Sequence, residues 1–478
     1  MAFTADADRI VPTVTMASGL EAAPRPRRAI TGWMLFDWAA QPFHTLLLTF
    51  FFARYFTTGV MGDGAQAQTL WGTMLAVTGI GIALLSPVLG AIADAVGPRK
   101  PWVALFTAMT IAGTAALWIA VPDADATTVF LTLVAFAVAM VGVEFAAVFN
   151  NAMMTDLVPR ERLGRLSGSS WALGYAGGVV VLLLVLAFAI ESSPGSGRTL
   201  AGLTPILGLA DIPGGGDRFT GPLTAVWMAV FIVPFFLFTP DQPRRTGGWQ
   251  RGVVSGAVKD LANTVRNLPR NRSLFAYLGS SMFYRDALNG LYAFGGVYAG
   301  GVLGWSATKL GVFGILAAFT GVIGAFAGGR LDDRFGPKRV VSVSIVALSL
   351  VSLAIVLTDK DTALLVDVAP GSALPDIVFY CCGALIGAFG GALQAASRTL
   401  LADQADPGRM TEAFGLYALS GKATSFLAPA LIAFTTGVVA VGWLGLGSED
   451  AQRLGISPIV GLFLIGLLLL PLVRARVE

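Results

Sequence analysis

Apolar residues run in long blocks along this chain, with polar residues gathered in short clusters between them. The blocks fall at about 30–56, 69–93, 101–121, 127–154, 166–190 and 222–239. After a polar stretch they resume at about 273–299, 308–330, 339–357, 376–401, 412–440 and 455–473. Each is close to the roughly 20 residues that a helix needs to cross a bilayer core. The pattern predicts twelve helical spans, six on each side of the segment 240–272. It divides the chain into a tail (1–29), a first half (30–239), a linker (240–272), a second half (273–473) and a short tail (474–478).

Composition strengthens this reading. Hydrophobic residues make up 55% of the chain and charged residues 13%, and the mean hydropathy is +0.73. A soluble domain carries about 25% charged residues, so a chain of this size has too little charge for a water-facing surface. The cysteines Cys381 and Cys382 are neighbours on one expected helix and point in different directions, which argues against a disulfide framework. The lone histidine, His44, excludes a histidine-based metal centre. There is no nucleotide-binding loop, no HExxH and no nucleophile triad, so enzyme activity, a cofactor and a metal are not expected. The apolar stretch after residue 29 is too long for a signal-peptide core and is read as a retained first span.

Charge orients the spans. With both ends on the cytoplasmic side, 24 of the 32 lysines and arginines fall in cytoplasmic segments and 5 on the opposite side. The remaining three, Arg54, Arg285 and Lys422, lie in or at the edge of spans. Such a bias follows the positive-inside rule and points to an inner cell membrane. Arg398 is counted here with the cytoplasmic cations. In the linker, Trp249 to Asn267 spaces Val253, Val254, Val258, Leu261 and Val265 at near-helical intervals among Arg251, Lys259 and Arg266. That suits an amphipathic helix on the anionic inner leaflet, or a solvated linker with some helicity. The segments 191–221 and 358–375 are rich in Gly, Pro, Ser and Asp and are expected to be irregular and mobile.

One polar pattern occurs twice. Gly90-x-x-x-Asp94-x-x-Gly97-Pro98-Arg99-Lys100 returns as Gly329-x-x-x-Asp333-x-x-Gly336-Pro337-Lys338-Arg339, every matched position 239 residues later. Such internal repeats mark transporter halves. Gly90 and Asp94 are four apart and share a helix face, where glycine permits close helix approach. The carboxylate can then face the positive N-terminal end of a neighbouring helix or a basic side chain. Arg99 and Lys100 are placed to reach Asp156 at the inner end of span 4; Asp403 is the matching partner expected for Lys338 and Arg339.

The repeated turn, falling between spans 2 and 3 and again between spans 8 and 9, resembles the signature loop of the major facilitator superfamily. A narrower resemblance is to the Atg22-like/UMF1 group. It rests on Gly32-Trp33-Met34-Leu35-Phe36-Asp37-Trp38-Ala39, on Phe149-Asn150-Asn151-Ala152, and on Ser167-Gly168 with Trp171 to Gly178. Ser397-Arg398, Phe414-Gly415-Leu416-Tyr417 and Ser420-Gly421-Lys422 extend it through the second half. The chain departs from the group's pattern at Asn150, Thr155 and Ala428. The resemblance implies an all-α membrane protein with the major facilitator fold, twelve transmembrane helices in two pseudo-symmetric six-helix halves. It also implies that the contacts of the repeated turn act as a latch, and it associates eukaryotic members with amino-acid efflux.

Charges inside spans are costly unless paired or facing water. At 1.5 Å per residue, Asp37 lies roughly 10 Å, Glu144 and Lys422 roughly 15 Å, and Asp286 roughly 20 Å from the cytoplasmic ends of their spans. Asp37 or Glu144 is expected to exchange a proton, while Lys422 pairs with a carboxylate and releases it to an anionic substrate group. The alternative is a static ion pair between spans. Asn150, Asn151 and Trp38 are further candidates for substrate contact, Tyr284 and Trp171 for the cavity wall. The expected function is alternating-access transport of a small polar solute, an amino acid among the possibilities, with a proton as coupling ion, by a monomer with no nucleic-acid partner. A multidrug or lipid exporter of the same fold, or a non-transporting receptor or scaffold, are the rival readings.

Overall fold

Proline and glycine set where several of the apolar blocks begin or end as helices. A computed structural model describes residues 26–61, 64–192, 195–243, 252–305 and 307–474. Span 3 (Lys100–Ala116), span 9 (Pro337–Val356) and span 10 (Leu374–Gln404) each carry a proline in the first two helical positions, where its missing N–H costs nothing. Span 4 (Ala126–Ala152) starts where the Asp125 carboxylate accepts from Thr128 N at 3.0 Å. Gly97 (φ 109°) and Gly336 (φ 82°) end spans 2 (Gly64–Val96) and 8 (Ala307–Phe335) in the left-handed region. This is the physical content of the repeated glycine.

The remaining spans are span 5 (Leu163–Phe188), span 6 (Gly215–Phe231 and Val233–Phe238), span 7 (Arg272–Gly301) and span 12 (Ser448–Ile456 and Pro458–Leu469). Spans 1 and 11 are broken. Span 1 runs as Arg27–Pro42, then a wide π-helical stretch Phe43–Phe50, then Phe52–Tyr55 and a second π stretch Phe56–Val60. Pro42 removes a helix donor at the first change, and π turns of this kind gather at functional sites. Span 11 runs as Met410–Ala423, a turn at 424–426, Leu427–Phe434 and a π stretch Thr435–Trp443. Pro429 lacks the donor that would carry the helix across the turn. Among the described residues ten helices are long and apolar enough to cross a membrane. Span 1, interrupted, and span 7, carrying Arg285, Asp286 and Asn289, complete the series of twelve.

Spans 1–6 pack chiefly on one another, through the pairs 3 with 4, 1 with 5, 3 with 6 and 1 with 6. Spans 7–12 do likewise, through 8 with 10, 9 with 10, 7 with 12 and 9 with 12. The two groups meet through span 2 on span 11 and span 5 on span 8. These contacts concentrate at the end that carries Gly97 and Gly336, called here the turn end. There a Cβ on Gly90 would lie 2.5 Å from Thr411 O, and one on Gly168 would lie 2.4 Å from Ala325 O. Toward the opposite end, Gly72, Gly79 and Gly81 of span 2 and Gly311 of span 8 have nothing within 4 Å. The groups are packed backbone to backbone at the turn end and more loosely away from it, where the Phe50 ring of span 1 comes only within 3.9 Å of a Cβ on Gly314 of span 8.

Several expectations change. Span 6 begins at Gly215 rather than 222, so Arg218 belongs to the helix, its guanidinium 4.4 Å from the Trp118 ring and donating to Trp118 O. The segments expected to be irregular carry structure: Glu191 bridges Thr199, and Thr362–Ala363 pairs with Val366–Asp367 in a hairpin. The linker helix covers Val253–Asn267, and Trp249 and Arg251 lie outside the described residues, as does most of the first tail. Ala257 and Leu261 are buried, the helix resting on span 2, while Val254, Val258 and Val265 are exposed.

Candidate functional site

At the turn end the first copy of the repeat forms a buried ion-pair network. Asp94 Oδ1 meets Arg99 Nη2 at 3.2 Å, and its Oδ2 accepts from Glu412 N, in the first turn of span 11, at 2.8 Å. The carboxylate therefore serves a helix N-terminus and a guanidinium together. Arg99, only 2% exposed, also donates to Asp156 Oδ2 (2.8 Å), Ala152 O (3.2 Å) and Thr411 Oγ1 (2.8 Å). It ties spans 2, 3, 4 and 11 together. Asp241, at the start of the linker, accepts from Arg99 N (2.8 Å) and Lys100 N (3.0 Å) and caps span 3.

The second copy repeats half of this. Asp333 Oδ1 accepts from Arg165 N at the start of span 5 (2.9 Å), and Arg165 Nε lies 3.2 Å from Oδ2. Gly329 brings the backbones together, since a Cβ there would lie 2.4 Å from Gly164 O. The basic residues diverge from the expectation. Lys100 donates to Phe236 O (2.9 Å) rather than to Asp156, and Lys338 donates to Val473 O (2.5 Å). Among the described residues no ion pair joins Lys338 or Arg339 to Asp403. The reason is geometric: Gly336 directs span 9 toward span 12, so its first turn meets the end of that span. Asp332, which the sequence did not single out, is buried and accepts from Thr399 Oγ1.

Deeper in the cleft, two ion pairs cross between the groups. Asp37 on span 1 meets Arg398 on span 10, Oδ2 to Nη1 at 3.0 Å and Oδ1 to Nη2 at 3.4 Å, and accepts from Ser170 Oγ on span 5 at 2.7 Å. The Arg398 guanidinium lies 4.6 Å from the Trp171 ring. Glu144 on span 4 meets Lys422 on span 11 at 2.9 Å, and both are about a quarter exposed. A third polar contact crosses between the groups: Gln394 Nε2 on span 10 donates to Tyr175 Oη on span 5 at 2.7 Å. Arg398 thus corrects its count as a loop cation. It lies inside Leu374–Gln404, buried, and it is the partner that sequence reasoning missed.

Other candidates lie away from the cleft. Trp38 stacks on Trp227 (5.5 Å between centroids) and against Phe231, filling the space that Gly177 leaves between spans 1, 5 and 6. Tyr284 is buried and bonded to Ser397 Oγ at 2.8 Å, so it does not line the cleft. Asn150 is fully buried, its carbonyl accepting from Trp33 Nε1 at 2.7 Å, while neither polar atom of its side chain has a partner among the described residues. Asn151 is half-buried, its Oδ1 unpartnered. Asp286, 1% exposed, turns from the cleft: its Oδ2 accepts from Ala428 N at 2.7 Å and caps the second segment of span 11. Asp37 thus pairs with a cation across the cleft, whereas Asp286 serves a backbone N–H within its own half.

A family model for the Major Facilitator Superfamily matches residues 43–429. The chain is similar to the MFS-type transporter YxiO of Bacillus subtilis (strain 168), 24% identical over 412 residues that cover 84% of this chain and 87% of that one. It is also similar to Autophagy-related protein 22 of Cryptococcus neoformans var. neoformans serotype D (strain JEC21), 25% identical over 295 residues. That match covers 59% of this chain and 48% of the fungal protein, so the chain spans about half the length of this relative. Among solved structures the fold is similar to that of FucP in the outward conformation, with a TM-score of 0.66 at 15% identity, covering 94% of this chain and 99% of FucP. FucP is named a fucose:proton symporter. With a matching family model over most of its length and the twelve-span arrangement described above, the chain belongs to the Major Facilitator Superfamily of transporters, and within it resembles the Atg22-like group.

Proposed function

We propose that this transporter moves a small polar solute, an amino acid among the candidates, by alternating access coupled to a proton. The observation that carries the proposal is the pair of ion bridges Asp37–Arg398 and Glu144–Lys422, each joining one six-span group to the other within the membrane-spanning region. Charges there are costly unless paired, so parting the groups requires that each carboxylate find another cation, water or a proton. A proton on Asp37 or Glu144 removes that cost. Arg398 and Ser170 face Asp37; Lys422 faces Glu144 directly, with His44 and Arg285 nearby. The turn-end networks of Asp94–Arg99–Asp156 and Asp333–Arg165 hold the cleft shut on one side, and their loss lets it open there. The lysine and arginine bias supports a cytoplasmic turn end in a cell membrane, and FucP's naming supports proton coupling.

The test is uptake and efflux by the full-length protein in proteoliposomes, with a panel of amino acids and sugars, with and without an imposed pH gradient. Gradient-driven accumulation of at least one solute is expected. Asp37→Asn should abolish accumulation while exchange of labelled for unlabelled solute persists. Transport that ignores the gradient sinks the proton coupling, and a panel of which nothing moves sinks the small-solute reading.

A further inference from the structure

Arg285 is the charge in the cleft that the bridges above leave unexplained. It lies on span 7, half-buried, and no carboxylate lies within 4 Å of it among the described residues. Yet its place is built. Arg285 Nη1 donates to Tyr417 O at 2.8 Å, and the guanidinium carbon lies 4.0 Å from the Tyr417 ring. That ring stacks in turn on Tyr277, 6.0 Å between centroids and 12° between planes. Gly421 makes the room: a Cβ there would lie 2.5 Å from the guanidinium carbon and from Nη1. The next residue, Lys422, extends to Glu144. Lys422 thus has a carboxylate partner, whereas Arg285, on the neighbouring span, is held by a carbonyl and an aromatic ring.

The charge balance of the cleft points the same way. Arg285, Arg398 and Lys422 face Asp37 and Glu144, three cations against two carboxylates. Asp286 does not restore the balance: among the described residues it makes no ion pair with these cations, and it is buried with its carboxylate accepting from Ala428 N. A positive charge held at this depth without a counter-charge is unfavourable. The guanidinium presents planar paired N–H donors that match a carboxylate in a bidentate fork, and among the described residues only its Nη1 has a protein acceptor.

We propose that Arg285 and Lys422 form an anion subsite and that the transported solute bears a carboxylate. The carboxylate docks on the free edge of the Arg285 guanidinium and draws Lys422 away from Glu144. Tyr417, beneath the guanidinium, fixes its plane, and Gly421 leaves the room that the guanidinium occupies. This rests on the transporter reading and narrows its substrate class.

The test uses purified full-length protein with acetate, lactate, succinate, alanine and glutamate as carboxylates. Lactamide, alaninamide and xylose serve as solutes without a carboxylate, and inorganic phosphate as a different anion. Thermal stabilisation and proteoliposome uptake are measured for each. At least one carboxylate is expected to bind and move, its amide at least tenfold more weakly. Arg285→Gln should weaken that carboxylate at least tenfold while still melting in a single cooperative transition in its absence, and Arg285→Lys should recover part of the loss. Gly421→Ala should weaken it as well, because the guanidinium must shift. Amides moving as well as acids, phosphate binding where no carboxylate does, or an Arg285→Gln affinity equal to wild type would each overturn the subsite. Movement of xylose alone would overturn the subsite and leave the transporter reading standing, whereas no movement of any solute would count against both.

Discussion

At the residue scale the two copies of the repeated turn have come to depend on different arginines. Arg99 is buried among Asp94, Asp156 and Thr411, whereas the Arg165 side chain is 58% exposed beside Asp333. Removing one member of a buried ion network leaves uncompensated charge and costs about 3–5 kcal/mol, while exposed pairs contribute about 1 kcal/mol or less. Arg99→Ala should therefore lower the unfolding midpoint in detergent strongly. Arg165→Ala should change it little, because the Arg165 N–H still serves Asp333. The glycines carry a second prediction. A side chain at Gly90 or Gly329 must push into the backbone at Thr411 or Gly164. In Gly90→Val and Gly329→Val, spin labels placed across the turn end should report longer distances than in wild type; equal distances would mean the helices yield without opening.

At the element scale the break in span 11 sets the site. It ends one helix just after Lys422 and begins another at Leu427, so the lysine projects from a helix end while Asp286 caps the next segment. Loss of such a cap costs about 0.5–2 kcal/mol. Asp286→Ala should lower the melting temperature, and Asp286→Asn, which keeps an acceptor for Ala428 N, should retain most of it. Outside the membrane region the loop before span 10 is pinned by Asp359. Burial pushes its carboxyl up, but hydrogen bonds from Thr362 and from the backbone of Asp361 and Thr362, together with Arg453, outweigh this and hold it below the usual carboxylate range. A lowered folded-state value stabilises above the unfolded pKa of about 3.9 and is lost as pH falls through the folded value. The melting difference between wild type and Asp359→Asn should therefore stay level from pH 7 to 5 and shrink only at more acidic pH. A difference that already shrinks between pH 7 and 5 would contradict this assignment.

At the scale of the whole molecule, closure at the turn end and separation at the other follow from where the groups touch: span 2 on span 11, span 5 on span 8, and the bridges between spans 1 and 10 and spans 4 and 11. Breaking the turn-end network in Asp94→Asn/Asp333→Asn should shift the population toward opening at that end. Labels across the turn end would then move apart while labels at the opposite end approach. Movement of both pairs in the same direction would show swelling rather than rocking. The repeated glycine–aspartate pattern was legible because its contacts are set by a helix face and a turn of a few residues. Arg398 was not. It lies near the end of an apolar block and reads as a loop cation until span 1 brings Asp37, 361 positions away in sequence, against it. The Asp403 partnership failed for a related reason: helix direction after Gly336 decides what Lys338 meets, and that direction is set by packing on span 12.

Sequence by itself determined the number and order of the apolar spans, the bias of their flanking charges and the duplicated turn, because each depends on residues close along the chain. The pairing of charges across the cleft, the burial of Asp286 and the packing of Trp38 between spans 1, 5 and 6 were decided only by tertiary structure. Each depends on which faces of separate helices meet, and helices that share the same apolar composition can be packed in many rotations until small residues such as Gly90, Gly168, Gly177 and Gly329 select one.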